Sequence, residues 1–184
     1  MDSGKSKDCL LELFSENAIQ ERIQELADRI NSTFPQDKEV VVVAVLAGSI
    51  LFASDLVKRL NMPVQLEFIR LSSYGNNLKS CGEVKPVDLT LPSLEGKNVL
   101  IVEDIVDSGL TAKFIINYLK LQHKAANVKF VTLLDKTCAR KEHVQIDYRG
   151  FEVDDKFVVG YGMDFKGYYR NLPYIGYFPQ EENV

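Results

Sequence analysis

The residues of this chain best suited to chemistry lie together at positions 99–112, VLIVEDIVDSGLTA. Four apolar residues run straight into Glu103 and Asp104; Ile105 and Val106 lead on to Asp107-Ser108-Gly109-Leu110-Thr111, and a helical pattern follows. Three carboxylates and a short loop therefore share one strand end. Such a loop aims backbone N–H groups and the hydroxyls of Ser108 and Thr111 at an anion. Gly109 permits close approach, and the dipole of the following helix favours negative charge. A 5′-phosphate suits that cradle. Glu103 and Asp104 supply oxygen acceptors for ribose hydroxyls or for a hard cation. Asp107 or Ser108 could instead cap the helix, but capping accounts for one acid, not three. The stretch has neither a Walker lysine nor the glycine pattern of dinucleotide sites, which favours a sugar phosphate over ATP or NAD.

The elements that would position these residues are readable from periodicity. Ile19, Ile23, Leu26, Ala27 and Ile30 recur at helical spacing behind Ser15 or Asn17, either of which could cap the helix. Residues 40–46 are a continuous, largely β-branched apolar run that stops at Ala47-Gly48-Ser49, as a strand buried on both faces would. Phe52, Ala53, Leu56, Val57 and Leu60 form a second helical stripe, ended by Asn61 and Pro63. Val64, Leu66 and Phe68 then alternate with Gln65 and Glu67 as a strand with one face less buried. Residues 72–96 lack a sustained period and read as a long loop with room for a short hairpin; long loops in compact domains are often lids. Strands are expected at 99–102, 128–134 and 157–159, with a helix carrying Phe114, Ile115, Ile116, Tyr118 and Leu119. Alternating strands and helices imply one α/β domain over residues 1–184, built on a parallel sheet whose ligands lie beyond the carboxyl ends of its strands.

A formal charge of -4 argues against binding to a phosphate polymer such as nucleic acid, so any phosphate site must be local. Cys9, Cys81 and Cys138 show neither disulfide-framework nor metal-ligand spacing and read as free thiols in a reducing compartment. Without a signal-like or membrane-length apolar run, the expectation is a cytoplasmic protein.

The stretch 99–112 resembles the phosphoribosyl pyrophosphate signature of type I phosphoribosyltransferases. Leu134-Asp135-Lys136-Thr137, the run 155–164 (DKFVVGYGMD) and Tyr169-Arg170-Asn171-Leu172 resemble, in the same order, the base-binding and closing segments of the hypoxanthine-guanine branch. The resemblance covers nearly the whole chain. It implies the type I phosphoribosyltransferase fold, with helices on both faces of the sheet and a small base-binding hood formed by the N-terminal and C-terminal segments. It further implies a flexible lid at about 72–96 that contains Ser73 and Tyr74 and excludes water from the reacting centre. The implied reaction joins hypoxanthine or guanine to phosphoribosyl pyrophosphate, giving IMP or GMP and pyrophosphate.

The same resemblance implies the roles of single residues. Glu103 and Asp104 hold the ribose and a magnesium ion; Asp164 helps to hold a second magnesium through water; and Ile105, Val106, Ser108, Gly109, Leu110 and Thr111 surround the 5′-phosphate. Asp107 is the base that removes the purine proton, and Lys136 donates to a 6-oxo group while offering nothing favourable to a 6-amino group. Phe157 stacks on the purine, the backbone of Val158 reads its far edge, and Arg170 meets the pyrophosphate. Without the resemblance Lys136 would read as a solvated lysine, Phe157 as core and Arg170 as a surface ion pair. Ala47 and Gly48 match a pyrophosphate loop in which the family often has lysine where this chain has Ala47; backbone N–H contacts survive that change and a cationic contribution does not. The peptide before Ala47 is one the family can hold in cis.

His123 and His143 lie in polar surroundings and read as surface residues. Tyr168, Tyr169, Tyr174 and Tyr177, with the resemblance, suggest a homodimer or homotetramer. A xanthine-preferring enzyme and a non-catalytic sensor of phosphoribosyl pyrophosphate that binds nucleic acid are the competing expectations. The acidic balance, and Asp107, Lys136, Phe157 and Asp164 present together, weigh against the sensor.

Overall fold

The computed structural model describes residues 10–73 and 84–179. A short strand, β1 (Leu11–Phe14), precedes helix α1 (Glu16–Thr33). The Ser15 side chain accepts from the Ala18 N–H at 3.2 Å and so caps α1. The five residues read as its apolar stripe are all buried. Next come β2 (Val40–Leu46), α2 (Ile50–Val57), β3 (Val64–Ser73), β4 (Val84–Asp88), β5 (Asn98–Val106), α3 (Leu110–Leu121) and β6 (Asn127–Asp135). Strands β7 (Tyr148–Glu152), β8 (Val158–Val159) and β9 (Ile175–Tyr177) complete the order.

Six strands form one sheet in the order β4-β3-β2-β5-β6-β7. Five run parallel, and β4 is antiparallel to β3 at one edge. Strand β2 is buried on both faces, which is why it reads as an unbroken valine run rather than an alternating one. Its even-numbered side chains Val40, Val42 and Ala44 pack with Ile19, Ile23, Phe52 and Leu56 of α1 and α2. Val41 and Val43 pack with Ile115 and Leu119 of α3 on the opposite face. A smaller sheet, β1-β9-β8, ties the N-terminal strand to the C-terminal segment.

One sequence expectation is corrected here and two are refined. Residues 157–159 do not supply the fifth strand of the main sheet. Val158 and Val159 pair with Tyr177 and Gly176 in the small sheet, and the fifth parallel strand is β7, beside β6. Gly150 is what lets β7 lie there, because a Cβ at that position would sit 2.3 Å from the Leu133 carbonyl oxygen. Within the stretch 72–96 the hairpin for which the sequence left room is present in the described residues, where β3 runs on to Ser73 and pairs antiparallel with β4, and Leu94 is fully buried against the α3 side of the core. The alternation in β3 is real, but its apolar face is the open one, with Leu66 36% and Phe68 42% exposed. Ser73 closes β3, paired with Val84, while Tyr74 lies outside the described residues.

Candidate active site

The carboxyl end of β5 is the centre of the site. The strand continues four residues past its last pairing with β2 and so carries Glu103 and Asp104 beyond that neighbour's register. Strand alternation turns the two to opposite faces. Glu103 is buried, and among the described residues its Oε2 has no hydrogen-bond partner. Burial, and then the neighbouring charges of Asp104 and Asp107, push its carboxyl well above the ordinary value, against the opposing pull of Arg140. Asp104 is pushed up to about 6, again chiefly by burial, with its own and the Ile105 backbone N–H and the charge of Arg170 acting the other way. A buried acid with an unused acceptor and a raised pKa is energetically expensive to keep, and such groups cluster where a cation or donor is to be received.

Beyond β5 the chain turns through Asp107 and Ser108 to Gly109. Its φ of 83° is a left-handed conformation, and a Cβ there would lie 2.6 Å from the Glu142 carbonyl oxygen. Neither Asp107 nor Ser108 caps α3: Gly109 is the N-cap, with no side-chain hydrogen bond. The first N–H groups of α3, at Leu110, Thr111 and Ala112, therefore lack helical partners and face outward from the loop. Asp107 is exposed at the loop crest, where it accepts from the Ser108 N–H and from its hydroxyl at 3.1 Å. The side chain of Ile105 packs towards α1 and α2 and that of Val106 is buried towards α3, so these side chains anchor the loop.

The turn after β2 meets the tip of β5. The Leu46–Ala47 peptide is cis. Gly48 lies so close to Asp104 that a Cβ would be 1.8 Å from its Oδ2. From the other side Gly162 approaches Gly48, with its own hypothetical Cβ 2.0 Å from the Gly48 carbonyl oxygen. Arg170 donates to the Gly162 carbonyl at 2.6 Å and pairs with Asp164 at 2.7 Å. The second Asp164 oxygen accepts from the Gly167 N–H at 2.7 Å.

On the β6 side, Lys136 is largely buried, paired with Asp155 at 2.6 Å and donating to the Lys156 carbonyl at 3.2 Å. Phe157 is not core: the residue is 55% exposed. It is backed edge-on by Phe165 at 5.6 Å, which in turn meets Phe178 at 5.9 Å. Val158 is buried in β8. The structure thus presents an open aromatic face, a lysine, an uncapped helix and a carboxylate pair from four separate elements around one strand end.

Residues 11–166 match the phosphoribosyl transferase domain. The chain belongs to this family. It is 44% identical over 164 residues to the hypoxanthine-guanine phosphoribosyltransferase of Bacillus subtilis (strain 168), covering 89% of this chain and 90% of the relative. It is likewise 44% identical over 163 residues to the enzyme of that name from Aquifex aeolicus, covering 89% of this chain and 91% of the relative. Among solved structures it is similar to a hypoxanthine-guanine phosphoribosyltransferase from Bacillus anthracis, with TM-score 0.85 and 44% identity over 91% of this chain and 97% of that one. A hypoxanthine phosphoribosyltransferase from Staphylococcus aureus superposes with TM-score 0.88 at 39% identity over 96% of each chain.

In this phosphoribosyl transferase domain several residues that shape the site gave no signal as single letters. Asp135, fully buried at the end of β6, pairs with Arg149 at 2.7 Å and with Arg140. Arg140 also donates to the carbonyls of Asp107 at 3.0 Å and Val106 at 3.3 Å, and the N–H groups of Lys141 and Glu142 bind the Ser108 carbonyl at 2.9 and 3.0 Å. The segment 140–142 is thus a clamp on the Asp107 loop, assembled only by the fold. Among the described residues, Cys138 is a free, exposed thiol. His143 is exposed, whereas His123 packs edge-on against Tyr118 at 4.9 Å.

The strained electrostatics of β5 have a measurable consequence. Below pH 3.8 Asp104 is protonated whether or not the chain is folded; between there and about pH 6 only the folded chain keeps the proton; above that the folded chain carries the charge at a cost. The unliganded protein therefore loses stability as pH rises through this window. Asp104→Asn removes the cost. Urea denaturation at pH 8 is expected to find the variant more stable than wild type by about 1–3 kcal/mol, a difference that shrinks towards zero at pH 4. A variant less stable than wild type at pH 8 contradicts this.

Proposed function

We propose that this protein transfers the phosphoribosyl group of phosphoribosyl pyrophosphate to hypoxanthine or guanine, releasing pyrophosphate and forming IMP or GMP. The observation that carries the reading is the junction of the buried Glu103 and half-buried Asp104 with the uncapped N-terminus of α3, reached by Lys136 from the next strand. The first N–H groups of α3, with Ser108 and Thr111, take the 5′-phosphate. Glu103 and Asp104 accept from the ribose hydroxyls and face the positive charge that develops on the sugar as its bond to pyrophosphate breaks. The purine nitrogen bonds to the anomeric carbon and gives its proton to Asp107, which stands exposed at the loop crest. Lys136 exchanges its contact with Asp155 for the 6-oxo group, and the open face of Phe157 stacks on the base.

The donor set also suits magnesium. Glu103 and Asp104 offer only oxygen, one of those oxygens is unpartnered, and among the described residues no group of three or more His, Cys, Asp or Glu side chains could hold a metal by itself. That combination fits a hard cation bound through one or two carboxylates, its own waters and substrate oxygens. Magnesium when bound would neutralise the charge leaving with the pyrophosphate. Asp164, with both oxygens already engaged, would help to hold a second magnesium through water. The backbone of Ala47 and Gly48 and the fork of Arg170 receive the pyrophosphate. Of the stretch 72–96, the lid role falls to the part that starts at Ser73 and Tyr74, ahead of β4 and the buried Leu94.

The expected homodimer or homotetramer finds support in the open apolar face of β3. Of the tyrosines considered for contact, only Tyr168 is strongly exposed, at 73%. Sedimentation of wild type should give an oligomer and of Phe68→Glu a smaller species; an unchanged distribution excludes this face. For the reaction, magnesium-dependent pyrophosphate release should occur with hypoxanthine and guanine and not with adenine. Asp107→Asn should lower kcat by ~10²–10⁴-fold, and Lys136→Ala should raise KM for the base. No turnover with any 6-oxopurine overturns the proposal.

A further inference from the structure

Tyr161 lies in the segment that presses against the Gly48 turn, and its backbone is unusual. Its φ is 48°, between Gly160 and Gly162, both at 98°. Glycine takes such angles freely; a tyrosine does so only when its surroundings fix it. Here the fixing group is at the far end of the side chain. The ring is buried, and its hydroxyl donates to Asp55 Oδ2 on α2 at 2.5 Å, across 106 residues of sequence.

Asp55 is itself held from several directions. Gln20 of α1 donates to the same carboxylate oxygen at 3.0 Å, and Lys58 binds the other at 2.6 Å. Arg59 spans the Asp55 carbonyl at 2.6 Å and the Gln20 side-chain oxygen at 2.7 Å. Against the effect of burial, the hydrogen bonds from Lys58, Tyr161 and Gln20 hold the Asp55 carboxyl below its ordinary value, so it remains an anionic acceptor. Burial and the Asp55 hydrogen bond push the Tyr161 phenol up, so it remains a donor. None of these groups touches the places assigned to substrate. Their effect is felt one residue further on.

The backbone of Tyr161 and Gly162 is the hinge-point between the two halves of the pyrophosphate region. Tyr161 N–H binds the Leu172 carbonyl at 2.9 Å and Gly162 N–H binds the Arg170 carbonyl at 2.9 Å. The Gly162 carbonyl receives the Arg170 guanidinium at 2.6 Å. On its other side Gly162 lies against the Gly48 carbonyl, where no Cβ could be inserted. We propose that the Tyr161–Asp55 hydrogen bond is a positioning device for pyrophosphate: by fixing Gly162 it sets both the seat of the Gly48 turn and the direction of Arg170. Tyr161 and Asp55 are positioning residues, acting through Gly162. The inference rests on the assignment of the Gly48 turn and Arg170 to pyrophosphate made above.

The test is a comparison of substrate dependences in both directions of the reaction for Tyr161→Phe, Asp55→Ala, Asp55→Asn and the Tyr161→Phe/Asp55→Ala double variant. Tyr161→Phe and Asp55→Ala should each raise KM for phosphoribosyl pyrophosphate, and for pyrophosphate in reverse, by ~10-fold, the range of a hydrogen bond to a charged group. The KM for hypoxanthine should change by less than ~2-fold. Asp55→Asn, which keeps an acceptor for the phenol, should recover most of the loss, and the double variant should be little worse than either single one. Calorimetric binding of pyrophosphate with magnesium supplies the same comparison without turnover. Equal shifts in both KM values, or a lower melting temperature with both KM values unchanged, overturn the positioning role. Wild-type turnover on 6-oxopurines tests the functional reading separately, and failure of wild type to bind pyrophosphate overturns both.

Discussion

Two carboxylates carried out of water at the end of a buried parallel strand impose the main constraint on this molecule. Apolar residues on both faces of β5 hold the strand in the middle of the sheet, and that depth buries Glu103 and half-buries Asp104, costing both much of their hydration. Nothing in the fold fully compensates them. The Glu103 oxygen left without a partner and the raised position of both carboxyls are two signs of the same unmet demand for positive charge or for donors. Stability is given up at that point, and a cationic or hydroxyl-rich ligand would find acceptors there already stripped of much of their water.

The rest of the site follows from where the neighbouring strands end. The β2 turn brings Gly48 against Asp104, the β5 turn delivers Gly109 and the uncapped start of α3, and the β6 end supplies Lys136. These are the carboxyl ends of adjacent parallel strands, the place where an open α/β sheet characteristically binds ligands. The small sheet then lowers Phe157, Gly162 and Arg170 over that edge. The loop carrying Asp107 is long enough to wander, and its clamp by Arg140 and the Lys141 and Glu142 N–H groups explains how an exposed carboxylate keeps a fixed height above the strand end. Arg140 is held in turn by the fully buried Asp135, so a largely buried ion pair at the end of β6 sets the geometry of a loop on β5.

Much of this was legible in the sequence, and what was not has physical reasons. The valine run of β2, the strand-acid-loop-helix pattern at 99–112 and the stripe of α1 with its Ser15 cap are local signals, and they survive folding unchanged. Strand β7 was missed because YRGFE pairs a charged residue with a glycine that looks like a turn; Gly150 is there for close approach to β6 instead. The two residues of β8 are too few to carry a period, so their sheet could not be assigned from pattern. In β3 alternation revealed the strand but not which face would be left open, since that depends on what packs against it. The Asp135–Arg140 clamp and the Asp55–Tyr161 bond were invisible because a lone acid, arginine or tyrosine is unremarkable until tertiary structure brings it to its partner. The roles of Lys136 and Phe157 came from resemblance to a family; the exposure of Phe157 and the burial of Lys136 are independent structural facts consistent with them.

The most direct test of the account is calorimetric binding of phosphoribosyl pyrophosphate, with magnesium and without a purine, to wild type and to Asp104→Asn at pH 7.5. If the β5 carboxylates are kept desolvated for this ligand, wild type binds and the asparagine variant, although the more stable folded protein, binds at least ~10-fold more weakly. Equal affinity in the two proteins would mean that the charge at the strand end serves something other than the phosphoribosyl group, and the central claim would fall.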